Sequence, residues 1–444
     1  MAGLNGTLEI AKKTLLNTQV FIQTTSHNIA NADNKAYARQ KVVQVTSYPQ
    51  LMRAGWLGMG ASVERIIQQR DQYIEQRLLE SRSKRSLHDA EAAQLRMAGG
   101  YLADDGESGI SGALGKFWSA WDALNQNPGG ASEKTLVTEK ARNLAESIRG
   151  TTSLLQNQAS SIEGNIQEKA SRAGTLLTDI ANYNKEISIT ELRGDQPAND
   201  LRDRRYQALL DLAELIPIKY SEETDGTLTV TLLGTSPEVQ LVSGSTAASV
   251  AYDGSGHVLT IDGQPASSLP GGQIQGLLTA LNEIGIPPGS IPADPDDPSV
   301  SYLDRLNAIA SSLLSEVNAA HGSPVFTGSG AADIELDGGF VPDGNAALTV
   351  AELQHQSSTV GANTFEKYLA NLQNGIGLGI ERAENQKAFH ASLELHLQSE
   401  QQSISGVSID EEMVDMLKNQ QIYQAAAKII QATAEMLNTV VNMV

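Results

Sequence analysis

The sequence predicts a mainly α-helical protein with β inserts: paired N- and C-terminal coiled-coil helices, a central long-helix bundle and a small all-β inserted domain. Three observations predict it. Stepping from Ile409 by alternating fours and threes meets Met413, Met416, Gln420, Tyr423, Ala427, Ile430, Ala434, Leu437, Val441 and Val444, a heptad seam with no Gly or Pro inside it. The same rhythm runs through Leu4, Leu8, Ala11, Leu15, Thr18, Ile22, Thr25 and Ile29 at the opposite end. Between them, past Pro217, the pattern switches to a period of two in Thr227–Leu232 and His257–Ile261, with Asp-Gly turns at 225, 253 and 262. The two ends are expected to pair, antiparallel, with everything else looped out between them. The boundaries drawn on this reading are 1–35 with 405–444 for the terminal pair, 36–216 with 276–404 for the helical body, and 217–275 for the β insert.

Length and composition narrow the function classes. A chain of 444 residues exceeds one core. The net charge is −20, although residues 1–100 carry 13 Lys and Arg against 8 Asp and Glu. The acidic remainder argues against nucleic acid and against an anionic membrane as partner. There is no cysteine, which rules out disulfides and thiolate metal sites. The opening residues MAGLNGTLEIAKKTLL hold no continuous apolar stretch and no small-residue cleavage site, so export would use a route without an ordinary cleaved signal. No segment approaches 18 consecutive apolar residues, so membrane insertion is not expected.

In chain order, Asn31–Ala36 reads as the stop of the first helix and a turn, and Tyr37–Thr46 as a strand-like segment. Gly55–Val63 is Gly-spaced without the Lys-Ser/Thr of a phosphate loop and reads as a turn before a short strand; Val63–Ile74 reads as the start of a charged helix. Phe117, Trp121 and Leu124 share a helical face, which favours core packing over ring stacking on a sugar. From Ser132 a very long helix is predicted by Leu144, Ile148, Leu155, Ile162, Ile166, Ala173, Leu177, Ile180 and Ile187, softened at Gly150, Gly164 and Gly174. Asn199 suits the N-cap of the next helix, and Asp200 its positive end. Residues 286–298 hold five prolines and read as a stiff connector. Leu303–His321 and Phe365–Glu400 resume the helical rhythm, with His321 as the C-terminal cap residue of its helix and 325–350 as a short hairpin.

No catalytic constellation emerges. Gly-x-Ser-x-Gly, His-Glu-x-x-His and Walker motifs are missing, and His390, Glu394 and His396 do not share one face. The chain is read as a non-enzyme with no cofactor. Its remaining signal is association. The N-terminal stripe is too thin to hold a lone helix, and Thr18, Thr25 and Gln420 dilute the pair, so both ends are expected to order fully only among neighbouring copies. The assembly interface is assigned to Leu4, Leu8, Leu15, Ile22, Ile29, Ile409, Met413, Met416, Tyr423, Ile430, Leu437 and Val441.

Two motifs point to a family. Asn28-Ile29-Ala30-Asn31, closing the first helix, followed by Tyr37, Arg39 and Gln40, resembles the signature of flagellar axial proteins of rod, hook and hook-associated type. His27 replaces the usual Asn, and Ala36 the usual Gly, where a turn needing positive φ would be strained. Arg70, Asp71 and Tyr73 fit a second stretch, and Asn199, Asp200, Leu201 and Asp203 resemble a segment of the hook-associated branch. The resemblance covers nearly the whole chain. It implies a structural subunit exported by the flagellar type III apparatus to the outside of the cell and joining hook to filament as a ring of identical subunits. It further implies contacts with hook protein, with an adjacent hook-associated junction protein, and with a flagellar export chaperone at the C-terminal helix. Open alternatives are another axial subunit of hook or distal rod type, and a hydrolase carried by the β insert.

Overall fold

A computed structural model describes residues 2–442 except 53–54, 104–108, 195, 267, 288, 290–296, 298, 358–359 and 361–362. Val444 and most of the proline-rich connector therefore lie outside the described residues. The chain is mainly helical, with long helices at both ends and small sheets inserted centrally. Helix α1 (Ala2–Ala30) stops at the Asn- and Asp-rich turn. Strand β1 (Gln40–Thr46) leaves for a short ribbon, β2 (Gln50–Met52) and β3 (Gly55–Leu57), and returns antiparallel as β4 (Ala61–Gln68), with a register shift between Val43 and Gln44. The return strand corrects the reading of Val63–Ile74 as a helix start. Val63, Ile66 and Ile67 fit either period, and pairing with a strand some twenty residues upstream decides the outcome. The helix begins only at Gln72, where the Asp71 carboxylate accepts from the backbone N–H groups of Tyr73 and Ile74.

The body is helical: α2 (Gln72–Leu102), α3 (Gly109–Gln126), α4 (Ala131–Gly194) and α5 (Asn199–Leu215). Helix α4 runs unbroken for 64 residues, and all nine apolar positions read from the sequence, Leu144 to Ile187, are fully buried. Its glycines at 150 and 164 have open space around them and do not interrupt it. Then come a four-stranded sheet of β5 (Ile218–Glu222), β6 (Leu228–Leu232), β7 (Gln240–Ser243) and β8 (Thr246–Ala247) in that spatial order, and a three-stranded sheet of β9 (Val250–Asp253), β10 (Val258–Ile261) and β11 (Gln264–Ala266). Both pack on α4. The first is stapled there by Asn184, fully buried, whose amide donates to the carbonyls of Leu228 and Gly244 and accepts from Leu228 N–H and Arg205.

Helix α6 (Gln273–Ile284) returns to the bundle and crosses α2 closely. A Cβ at Gly276 would lie 2.1 Å from the Leu87 carbonyl oxygen, so only glycine permits this approach. Helix α7 (Tyr302–Ser312) continues through a π-helical turn into α8 (Asn318–His321), closed by Gly322 in the left-handed conformation. His321 is buried. Its Nε2 accepts from Asp343 N–H and its ring packs on Trp121 and Phe340, so its partners are the following loop and an aromatic cluster rather than helix-end carbonyls. A short hairpin of β12 (Phe326–Thr327) and β13 (Glu335–Leu336) and helix α9 (Ala347–Glu352) complete that end, where Phe117, Trp118 and Trp121 are fully buried. Helix α10 (Phe365–Ser405) packs antiparallel along α2, and α11 (Ile409–Asn442) packs on α1.

Candidate assembly interface

The terminal pair and the body meet in a polar knot. Asn28, at the end of α1, has all its hydrogen-bonding capacity engaged. Its Oδ1 accepts from Tyr37 Oη (2.7 Å) and Gln40 N (3.0 Å), and its Nδ2 donates to Gln40 O (3.0 Å) and Glu412 Oε2 (3.1 Å). An aspartate here would oppose Glu412 with a second carboxylate. Arg39 completes the junction: Nε and Nη1 donate to Glu412 (2.7 Å) and Glu411 (3.0 Å), while its backbone bonds Ser405 at the end of α10 and Gln69 after β4. The end of α1 thus lies beside the start of α11, and the two helices run antiparallel.

Asp203 of α5 carries the body side. Its Oδ1 accepts from Arg70 (2.6 Å), Gln68 (2.8 Å) and Ala38 N–H (3.3 Å). Arg70 also donates to Glu75 (2.7 Å) and lies 4.5 Å over the Tyr206 ring, and Glu75 accepts from Tyr220 of the β insert. Asn199 is the first residue of α5 rather than its cap. The preceding residue is Ala198, and the Asn199 side chain donates to Ile66 O of β4 instead. The strand edge offered this amide a buried acceptor, which outweighed capping. Asp200 is exposed, 3.4 Å from Gln40 and 3.8 Å from His27, whose other ring nitrogen meets Tyr37 Oη at 3.1 Å. Leu201 is half-buried. Ala36 is buried and outside the left-handed region, so the turn accepts it without strain.

Three motifs far apart in sequence therefore converge on one junction. Sequence reading missed the partners that join them, Gln68, Glu75, Glu411 and Glu412. The only available signal for the last two was an acidic first turn on α11, which fits the helix dipole equally well.

All donors to Asp203 reach Oδ1; Oδ2 is buried with no hydrogen-bond partner among the described residues. Burial therefore pushes the carboxyl up to about 6, against the pull of Arg70. A raised folded pKa means that this group's stabilisation is present below about pH 4 and is lost as pH rises through 6. The unfolding free energy of the protein relative to Asp203→Asn should fall by about 2–3 kcal/mol between pH 4 and 7. Urea titrations of both proteins across that range check it.

Along the helix pair, Ala11, Thr18, Thr25, Ala426 and Thr433 are buried. Leu4, Leu8, Leu15, Ile22, Ile29, Met416, Ile430 and Leu437 are half-buried. Ile409, Met413 and Tyr423 stand largely in solvent, together with Val414, Leu417, Ile422, Ile429, Met436 and Val440; Ala30 is also exposed, and the Val441 side chain lies outside the described set. The face of α11 turned to α1 mixes buried small and polar residues with half-buried Met416, Ile430 and Leu437, while most of the other large apolar side chains of α11 remain uncovered in the single chain.

The profile of the flagellar hook-associated protein FlgK helical domain matches residues 98–333, just over half of the sequence. The chain is a member of the FlgK family of flagellar hook-associated proteins. Residues 398–443 match the C-terminal region of flagellar basal body rod FlgEFG proteins. Flagellar hook-associated protein 1 of Bacillus subtilis is 26% identical over 98% of this chain and 97% of its own length. That of Escherichia coli is 21% identical over 96% and 97%. A solved structure, the flagellar hook junction protein FlgK from Burkholderia pseudomallei, is 20% identical with a TM-score of 0.47 over 57% of this chain and 46% of that one. Family membership makes the chain a structural, flagellum-associated axial subunit. Among the described residues, no helix is long and apolar enough to cross a membrane.

Proposed function

We propose that this protein joins hook to filament as a ring of identical subunits assembled through its terminal helices. The observation that carries the reading is the apolar surface of α11 that its contact with α1 leaves uncovered. Extensive exposed apolar surface on a helix covered along only one side is a surface awaiting further helices. The knot at Asn28, Arg39 and Asp203 sets the direction of the pair relative to the body. Ile409, Met413 and Tyr423 face neighbouring copies, and Leu8, Leu15, Ile22, Met416, Ile430 and Leu437 line the seam within each pair. Hook protein contacts the ring below, the next junction protein contacts it above, and an export chaperone covers the apolar face of α11 before secretion without a cleaved signal. The role is mechanical and needs no catalytic group. The match to the FlgK helical domain over 98–333 favours this reading over a rod or hook subunit.

Purified chain mixed with hook polymer should bind only its distal end, saturating with the number of ends and not with polymer length. Electron microscopy of end occupancy tests it. Binding along the shaft, or none, defeats the proposal.

A further inference from the structure

Among the described residues, the strands of the ribbon at the tip of the β1–β4 hairpin pair only with each other. Its base is tied to α1: Lys13 Nζ donates to Ser47 Oγ (3.3 Å), Asn17 Nδ2 donates to Ala61 O (2.7 Å), and Asn17 Oδ1 accepts from Val63 N–H (3.3 Å). Beyond that base, Leu51 pairs with Trp56 across β2 and β3. Tyr48 is 94% exposed, Trp56 71% and Leu51 65%. Two three-residue strands cannot bury side chains of this size among themselves. Exposed aromatic and aliphatic groups gathered on so small a ribbon mark a docking element.

The complementary surface is on α11. Ile422, Ile429 and Met436 recur every seven residues and remain exposed beside the seam with α1. Asn28 meets Glu412 and the helices run antiparallel, so the level of Lys13–Asn17 corresponds to about residues 423–427 of α11 at equal rise per residue. Ribbon base and stripe therefore sit at similar heights along the pair. The stripe carries little net charge of its own, with Lys428 and Glu435 beside it, so the contact between the two patches is apolar. No hydrogen bond or ion pair among the described residues links 47–60 to α11 within one chain.

We infer that the ribbon of each subunit docks, through Trp56 and Leu51, onto the Ile422–Ile429–Met436 stripe of α11 in a second copy of this chain. The inference rests on the assembly reading above and adds which patches meet. Because the patches differ, the contact is heterologous: repeated, it runs head to tail around a ring or along a helix, whereas a patch meeting itself would stop at a dimer.

The cysteine-free sequence makes the test specific. Gln50→Cys places a thiol on the ribbon, and Ala425→Cys places one beside the stripe; both positions are exposed and neither removes a docking side chain. The two variants, mixed and assembled on hook polymer under mild oxidation, should give a covalent dimer between unlike chains. Neither alone should, nor should Gln50→Cys with Leu192→Cys, a control thiol on the exposed end of α4. Independently, Leu51→Ser with Trp56→Ser should reduce hook-end binding at least tenfold with the thermal unfolding of the body unchanged. Chains that occupy hook ends yet link only like to like, or link equally to the control, overturn the docking and leave the assembly reading standing. Chains that never occupy hook ends overturn both.

Discussion

Replacing Arg70 with Ala should destabilise the protein by about 3–5 kcal/mol, the range for removing one partner of a buried ion pair. Two carboxylates depend on this guanidinium, Glu75 and Asp203, and both are buried. The substitution leaves them facing a low-dielectric interior, and it also removes the cation from the Tyr206 ring. Much of the effect is the penalty of stranded charge. Adding Glu75→Gln and Asp203→Asn to Arg70→Ala should therefore recover more than half of the loss, which a multiple-mutant cycle in urea reads directly. Equal losses with and without the neutralising changes would mean that Arg70 acts through packing alone. The damage should also be directional. The knot joins β4, α5 and the first turn of α2, so amide exchange should accelerate there before it does in the aromatic cluster around Trp118.

Deleting residues 420–444 should abolish binding to hook ends while leaving the body's unfolding transition in place. The packing of α11 is mainly against α1, and the buried core of α2 to α10 draws almost nothing from it. Far-UV circular dichroism should lose the signal of the removed helix and of the α1 residues that fray without it. Hook-end occupancy after the deletion would remove α11 from the assembly mechanism. A collapsed body transition would instead show that the terminal pair supports the core.

How far the sequence revealed this arrangement depended on whether one period accounted for a segment. Helix α4 was legible because its apolar positions fit a single stripe and all face one core. Residues 61–68 were not, because Val63, Ile66 and Ile67 satisfy two periods and only a distant strand settles the matter. The α11 seam lies between these cases. The sequence stripe and the covered face share Met416, Ile430 and Leu437, but the structure turns Glu412, Ala426 and Thr433 toward α1 where the stripe has Met413, Ala427 and Ala434. A helix apolar around more than half its circumference admits two seams one residue apart. The motifs around Asn28 and Asn199 were visible as motifs, yet their meeting was not, since hydrogen bonds between residues about 130–380 apart leave no trace in local pattern.

The continuity of α4 has a consequence for how the family's body can change size. At ~1.5 Å per residue its 64 residues make a rod of roughly 96 Å. Every neighbour is keyed to the angular phase of that rod. Loss of seven residues would leave the phase within about 20°, whereas loss of three or four would rotate everything beyond the cut by about 40–60°. Length can therefore vary freely only in the connectors, and the rod itself can lengthen or shorten only in near-whole pairs of turns.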